Sequence, residues 1–371
     1  MKTTWKKLLA LTLALTMAFA LCACGAQPAA PAADANTGSN EAPAETAGRT
    51  ETITFRVGWP TSGQEGDVIM PGIMAVTDYV TEKSGGTIQF EYFPNQQLGT
   101  ENDMTDSLIT GDLDIGVISN TVAATYWPEL YLYALPFAFD SFDEFWALCG
   151  QDGWNDGAVT KAIRESIESK GQVHVFNAVC NTFRGMQSNV RPITKPADFE
   201  GITLRVQAGE MYADIYNAIG ASTASIPFGE LYTSLQQGVC QAEDVGIATD
   251  ATMRMYEVTK YAVELNHCMT ANMFLMSNKA YDQLTEEERG WFMEGCKLAE
   301  KVAYDTVVSG DAAAYELYAK EGVEVIRHDE LDPEALAEFK SVTSSVWDKY
   351  RALIGEELFG VFEEGLAAIK K

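Results

Sequence analysis

Two arginines and a few strand-end polar residues are the features of this 371-residue chain that could do chemistry. Arg205 closes a strand pattern, Ile202–Val206. Its planar guanidinium could donate two parallel hydrogen bonds to a carboxylate, a geometry that lysine cannot reproduce. The competing reading is a surface ion pair, the commoner fate of an arginine. Ser119 and Asn120 follow the strand pattern Ile115–Ile118 at its carboxyl end, where hydroxyl and amide groups either reach a ligand or cap a loop. Trp59 and Thr61 end the first strand; they either line the same cleft or, for Trp59, belong to the core. Nothing calls for nucleophilic or metal chemistry. G-x-S-x-G, H-E-x-x-H and P-loop patterns are absent, and the three histidines (His174, His267, His328) lie far apart. Thr285-Glu286-Glu287-Glu288 reads as a helix N-terminus with a capping box, where acids favour the dipole, and not as an acid/base dyad. No catalysis, no metal and no cofactor are expected.

The elements that must position these residues alternate along the chain. Strand patterns cover Ile53–Trp59, Thr87–Phe93, Ile115–Ile118, Val173–Val179, Phe183–Gln187 and Ile202–Val206. Helical spacing runs over Asp67–Lys83, Glu101–Thr110, Ser141–Leu148, Ala158–Lys170, Met211–Ile219 and Glu230–Gln237, several of them stopped by glycine. From the capping box a helical stretch continues to about Tyr318. Roughly 30 residues span about 45 Å, long enough to lie across two domains. Sequence after Asp332-Pro333 is helical again, and no internal repeat is present. The class is α/β, in which ligands sit at the carboxyl ends of strands or between domains.

Charge and the first residues bound the setting. Twenty-six basic against 53 acidic residues give −27, which argues against a nucleic-acid partner. It does not exclude a small anion, which feels its pocket more than the distant total. Lys2, Lys6 and Lys7 followed by an apolar run to Leu21 read as a signal peptide. In Leu21-Cys22-Ala23-Cys24-Gly25, Cys24 has Leu at −3 and a small residue at −1, the lipobox arrangement for a diacylglyceryl anchor; Cys22 fits worse. Residues 25–50 are poor in large apolar side chains and read as a flexible tether. Cys149, Cys180, Cys240, Cys268 and Cys296 are odd in number and form no C-x-x-C, so buried thiols with at most one or two disulfides are expected.

Five motifs in consistent order carry a resemblance. Phe93-Pro94-Asn95-Gln96-Gln97-Leu98-Gly99 with Gly111-Asp112-Leu113-Asp114-Ile115-Gly116 is similar to the N-terminal half of the DctP-type solute-binding proteins of TRAP transporters. Leu135-Pro136-Phe137 matches that family's LPF turn, and Asp198–Val206 its DxxGxxxRV segment. Ile226–Tyr232 and Leu235–Val239 match the helix that follows, so the resemblance covers about Ile53 to Tyr318.

The resemblance implies two discontinuous α/β domains of periplasmic-binding-protein type, with the ligand cleft between them and a long helix spanning both. The expected bounds are 51–179 plus 269–309 and 180–268 plus 310–371. It assigns the carboxylate clamp to Arg205, a second pocket arginine to Arg184 and an apolar wall to Phe228, which could equally be core. One segment departs from the family: Gln241 and Ala242 replace Asp and Gly, Asp244 stands at the Glu position, and Val245 where some relatives carry a ligand-binding Asn. Asp244 remains a candidate ligand residue. The function implied is capture of a small organic acid by domain closure and delivery to the membrane subunits of a TRAP permease, by a monomer anchored through its lipid. Competing readings are a lipoprotein serving a sensor or an ABC-type permease, and a secreted enzyme acting on an organic acid.

Overall fold

The computed structural model describes residues 49–149 and 157–370. The signal segment, Cys24 and the tether up to residue 48 lie outside them. Two mixed sheets carry the body. Strands β1 (Ile53–Gly58), β2 (Ile88–Phe93), β3 (Ile115–Ser119), β4 (Val173–Phe183) and, much later, β10 (Met269–Ser277) form the first, in the order β2-β1-β3-β10-β4. The second holds β5 (Met186–Ser188), β6 (Thr203–Val206), β7 (Ser222–Ser225), β8 (Ala242–Glu243), β9 (Tyr261–Val263) and β11 (Glu324–Ile326), in the order β11-β9-β5-β8-β6-β7. β1, β2 and β3 run parallel, and β10 is antiparallel to both β3 and β4. The architecture is α/β with two sheets.

Local chemistry explains most boundaries. Thr100 caps the helix Glu101–Thr110 through a reciprocal pair with Asp103, and Gly111 ends it in the left-handed region at φ 78°. The expected helix start at Asp67 moves to Met70, because the Asp67 carboxylate is spent on the turn before it. That carboxylate accepts hydrogen bonds from the Ile69 and Gly63 amides and from Thr61 Oγ1. The expected strands Val173–Val179 and Phe183–Gln187 are both present with their boundary moved: β4 continues to Phe183, and β5 covers Met186–Ser188 after a two-residue step.

β10 had no counterpart in the sequence reading. All nine of its residues are buried, so it lacks the alternation that marks a half-exposed strand.

The chain crosses between the sheets at Arg184–Gly185, returns through residues 264–268, and crosses again along the helix Glu286–Lys320 to β11. Thirty-five residues make that helix about 52 Å long. It packs on the helix Met70–Lys83, on β4 and on the helix Ile247–Thr252. Gly295 is required at the first of these crossings, since a Cβ there would stand 3.2 Å from the backbone of Val76. The expected capping box at its start is present, and Glu288 also takes both Arg49 Nε and Nη2 at 2.7 and 2.8 Å. Arg49, assigned to the tether, is therefore docked on the body. Among the described residues no helix is long and apolar enough to cross a membrane.

Candidate functional site

A cavity opens where the carboxyl ends of β3 and β6 meet the crossing segments. Its polar lining is Thr61, Glu101, Ser119, Thr182, Arg184, Arg205, Gln207, Thr249, Thr270 and Asn272; Ile69, Phe228 and Val245 supply the apolar walls. Five of the expected ligand residues meet here: Arg205, Arg184, Phe228, Ser119 and Thr61. The other three stand behind the wall. Trp59 packs edge-on to Tyr92 and points its indole N–H at Asp67, 3.4 Å away. Asn120 spends its amide on backbone, donating to the Leu130 carbonyl and accepting from the Ala271 amide. Asp244 is fully buried against Arg184.

The two arginines do different work. Arg184 Nε and Nη2 meet the Asp244 carboxylate at 3.2 and 3.0 Å, Nη1 donates to Thr270 Oγ1, and the guanidinium lies over the Tyr212 ring. Its fork is engaged. Burial alone would lower its pKa, but the Asp244 charge raises it. Asp244 is itself held down at about 2: burial pushes it up, and the Arg184 charge with hydrogen bonds from His267 and Arg184 more than reverses that. Tyr216 completes this group, its hydroxyl 2.9 Å from Asp244 Oδ2 and 2.7 Å from His267 Nε2.

Arg205 is 1% exposed and uses Nε on the Ile226 carbonyl, while its Nη2 has no partner. A buried guanidinium N–H without an acceptor is costly, so the site favours an acceptor arriving with a ligand.

Sequence reasoning missed a second acidic feature and a third. Glu101, at the first position of its helix, is 5% exposed; Oε1 accepts the Ser119 amide and Oε2 accepts Gln207 Nε2, which also reaches Ser119 Oγ. Its position after Gly99-Thr100 reads only as a helix start. Glu243 and Asp250, fully buried beside Arg205, are the third. Burial, then the Asp250 charge and the hydrogen bond with Asp250, push Glu243 well above the usual carboxylate range; burial raises Asp250 to about 6 against the lowering by that hydrogen bond and by the charges of Arg205 and Arg184. The departing segment is explained in part. Gln241 accepts the Thr203 amide and donates to the Gly238 carbonyl, Ala242 packs in β8, and Val245 gives the cavity an apolar wall. Cys240 and Cys268 are free, buried thiols.

Residues 62–353 match the DctP family, described as bacterial extracellular solute-binding protein, family 7. The uncharacterized protein y4mM of Sinorhizobium fredii is 31% identical over 280 residues, 75% of this chain; the match spans about half, 49%, of that longer relative. A TRAP periplasmic solute-binding protein of Sulfitobacter, solved with bound β-D-galacturonate, is 25% identical with a TM-score of 0.75 over 84% of this chain and 100% of its own. One from Desulfovibrio salexigens, with bound orotic acid, is 25% identical with a TM-score of 0.77 over 85% and 99%. These neighbours are binding proteins and not enzymes. With the family matched across most of the body and the same fold carried by ligand-bound neighbours, this chain belongs to the DctP family of extracellular, TRAP-type solute-binding proteins.

Proposed function

We propose that this chain captures a small organic acid by seating its carboxylate on Arg205, and hands it to the membrane subunits of a TRAP permease. The observation that carries the reading is a buried arginine lining a cavity with part of its fork unpartnered, beside a second arginine already neutralised by Asp244. Phe228 and Val245 would cover the apolar part of the ligand, and Ser119, Thr61 and Arg184 would border its polar part. Acids bound by the two neighbours, a sugar acid and a heteroaromatic acid, are in keeping with a carboxylate held by arginine. The family's extracytoplasmic setting agrees with the signal segment; attachment through Cys24, with residues 25–50 as a leash, is part of the proposal.

Capture needs motion on this reading. The cavity is about 40 Å³, room for about three waters, so an acid the size of galacturonate requires the walls to part. We take the moving bodies to be the two lobes expected above, 51–179 with 269–309 and 180–268 with 310–371. The test is a calorimetric titration of galacturonate, orotate and succinate into wild type, Arg205→Ala and Arg205→Lys. Losing the arginine should cost about 2–5 kcal/mol of binding, and lysine should recover only part of it. Arg205→Lys binding as tightly as wild type would exclude the two-pronged clamp; Arg205→Ala doing so would exclude Arg205 from the site.

A further inference from the structure

Behind Arg205 lies a sealed polar pocket of protein that ligand contact does not account for. β5, β8 and β6 are adjacent, and Gln187, Glu243 and Arg205 stand in register across them, so their side chains share one face of the sheet. Asp250 from the helix Ile247–Thr252 comes within hydrogen-bonding reach of Glu243, and Tyr318 of the long helix borders both acids. All five residues are buried to at least 99%. Yet both oxygens of Glu243, both of Asp250, Gln187 Oε1, Arg205 Nη2 and the Tyr318 hydroxyl find no hydrogen-bond partner. Two carboxylates can only accept, so they cannot satisfy one another. One proton between them turns the contact into a hydrogen bond and removes the repulsion of like charges.

We infer that Glu243 and Asp250 form a proton-holding pair, and that seating a carboxylate on Arg205 draws a further proton onto it. The inference rests on the reading of Arg205 as the carboxylate site. The charges that face the pair are Arg205 from β6, Arg184 from the end of β4 and Asp244 from the end of β8; Tyr315 and Tyr318, held neutral by burial, face it from the long helix. With one shared proton the acid pair carries one negative charge. It and Asp244 then balance the two arginines, and the buried region is neutral. A bound carboxylate adds one negative charge in a medium that screens poorly. Taking a second proton onto the acid pair restores the balance. The proton comes from solvent and is returned when the ligand leaves, with no covalent change.

The consequence is affinity linked to pH. Binding should weaken as pH rises between about 6 and 8, by at most about tenfold per pH unit, although the ligand's own carboxyl stays ionised throughout. Calorimetry with galacturonate, orotate and succinate in phosphate and in Tris, whose ionisation heats differ, counts the protons taken up. Between a few tenths and one proton is expected for wild type at pH 7, and none for the double variant Glu243→Gln with Asp250→Asn, which leaves no acid there to take it. Infrared spectra of the ligand-free protein give a second readout, a protonated carboxyl absorption at pH 7 that Glu243→Gln and Asp250→Asn each diminish, beside the contribution of Asp311, which neither changes. Binding without proton uptake in wild type, or uptake persisting in the double variant, would overturn the inference while leaving Arg205 as the carboxylate site. A carboxyl absorption that is the same in wild type and in both single variants would overturn it whatever binds. Tight binding by Arg205→Ala would instead remove the reading on which it rests.

Discussion

Replacing Asp250 by Asn should make the ligand-free protein more stable near neutral pH than the wild type, and the gain should vanish in acid. Burial raises Asp250 from 3.8 to about 6, against the lowering by its hydrogen bond with Glu243 and by the charges of Arg205 and Arg184. The folded state therefore holds this proton over a range in which the unfolded chain has released it. Stability from this group is full below about pH 4 and falls as pH climbs through about 6, because the folded state binds more protons than the unfolded one. A displacement of just over two pH units corresponds to about 3 kcal/mol, undiscounted because the group is fully buried. At about 2 °C per kcal/mol for a body of this size, that is roughly 6 °C in Tm. Asn carries no titrating proton and can donate its amide hydrogen to Glu243, so the variant lacks the slope. The assay is Tm by circular dichroism for both proteins from pH 4.5 to 7.5. Because the displacement begins at 3.8, below the scanned range, the difference should widen by roughly 4 °C toward the alkaline end. Asp311, pushed up to about 7 by burial, titrates in both proteins and cancels. A difference that stays flat over the range would refute the buried shared proton, even if the variant were uniformly more or less stable.

Three further outcomes are expected. Glu101→Gln replaces an acceptor of two N–H donors by an amide that satisfies one and opposes the other, so it should cost about 1–3 kcal/mol in urea unfolding; an unchanged midpoint and slope would show that the pocket acid is idle. Cys24→Ala should release the protein from the membrane fraction with its ligand affinity intact, and recovery of a wild-type chain whose N-terminus begins beyond Cys24 would exclude the anchor. Small-angle scattering should give a smaller radius of gyration at saturating ligand, whereas superimposable profiles would mean a rigid pocket.

What the sequence disclosed depended on whether a residue's role was local. Arg205 and Ser119 could be read because they sit at the carboxyl ends of recognisable strands, and the long helix because Thr285 and Glu288 announce its start. Arg184 was legible as a pocket residue but not as one already paired, since its partner Asp244 lies 60 positions away. β10 was missed because burial on both faces erases alternation. Glu243 and Asp250 were missed for a related reason. Seven positions apart, they are joined only by the turn into the helix Ile247–Thr252, and no local pattern distinguishes two buried acids from two solvated ones.

β10 also sets a timetable. It is the strand that joins β3 to β4, pairing Met273 with Ile118 on one side and with Ala178 on the other. Until residues 269–277 arrive, β3 and β4 each present an unpaired edge, and 85 residues, 184–268, separate the end of β4 from the start of β10. Closing such a loop precedes any reward from the contacts it brings, which slows folding and prolongs the life of the open chain. The first sheet is finished from its middle, and the N-terminal half cannot complete its fold before β5 to β9 of the second sheet have been made.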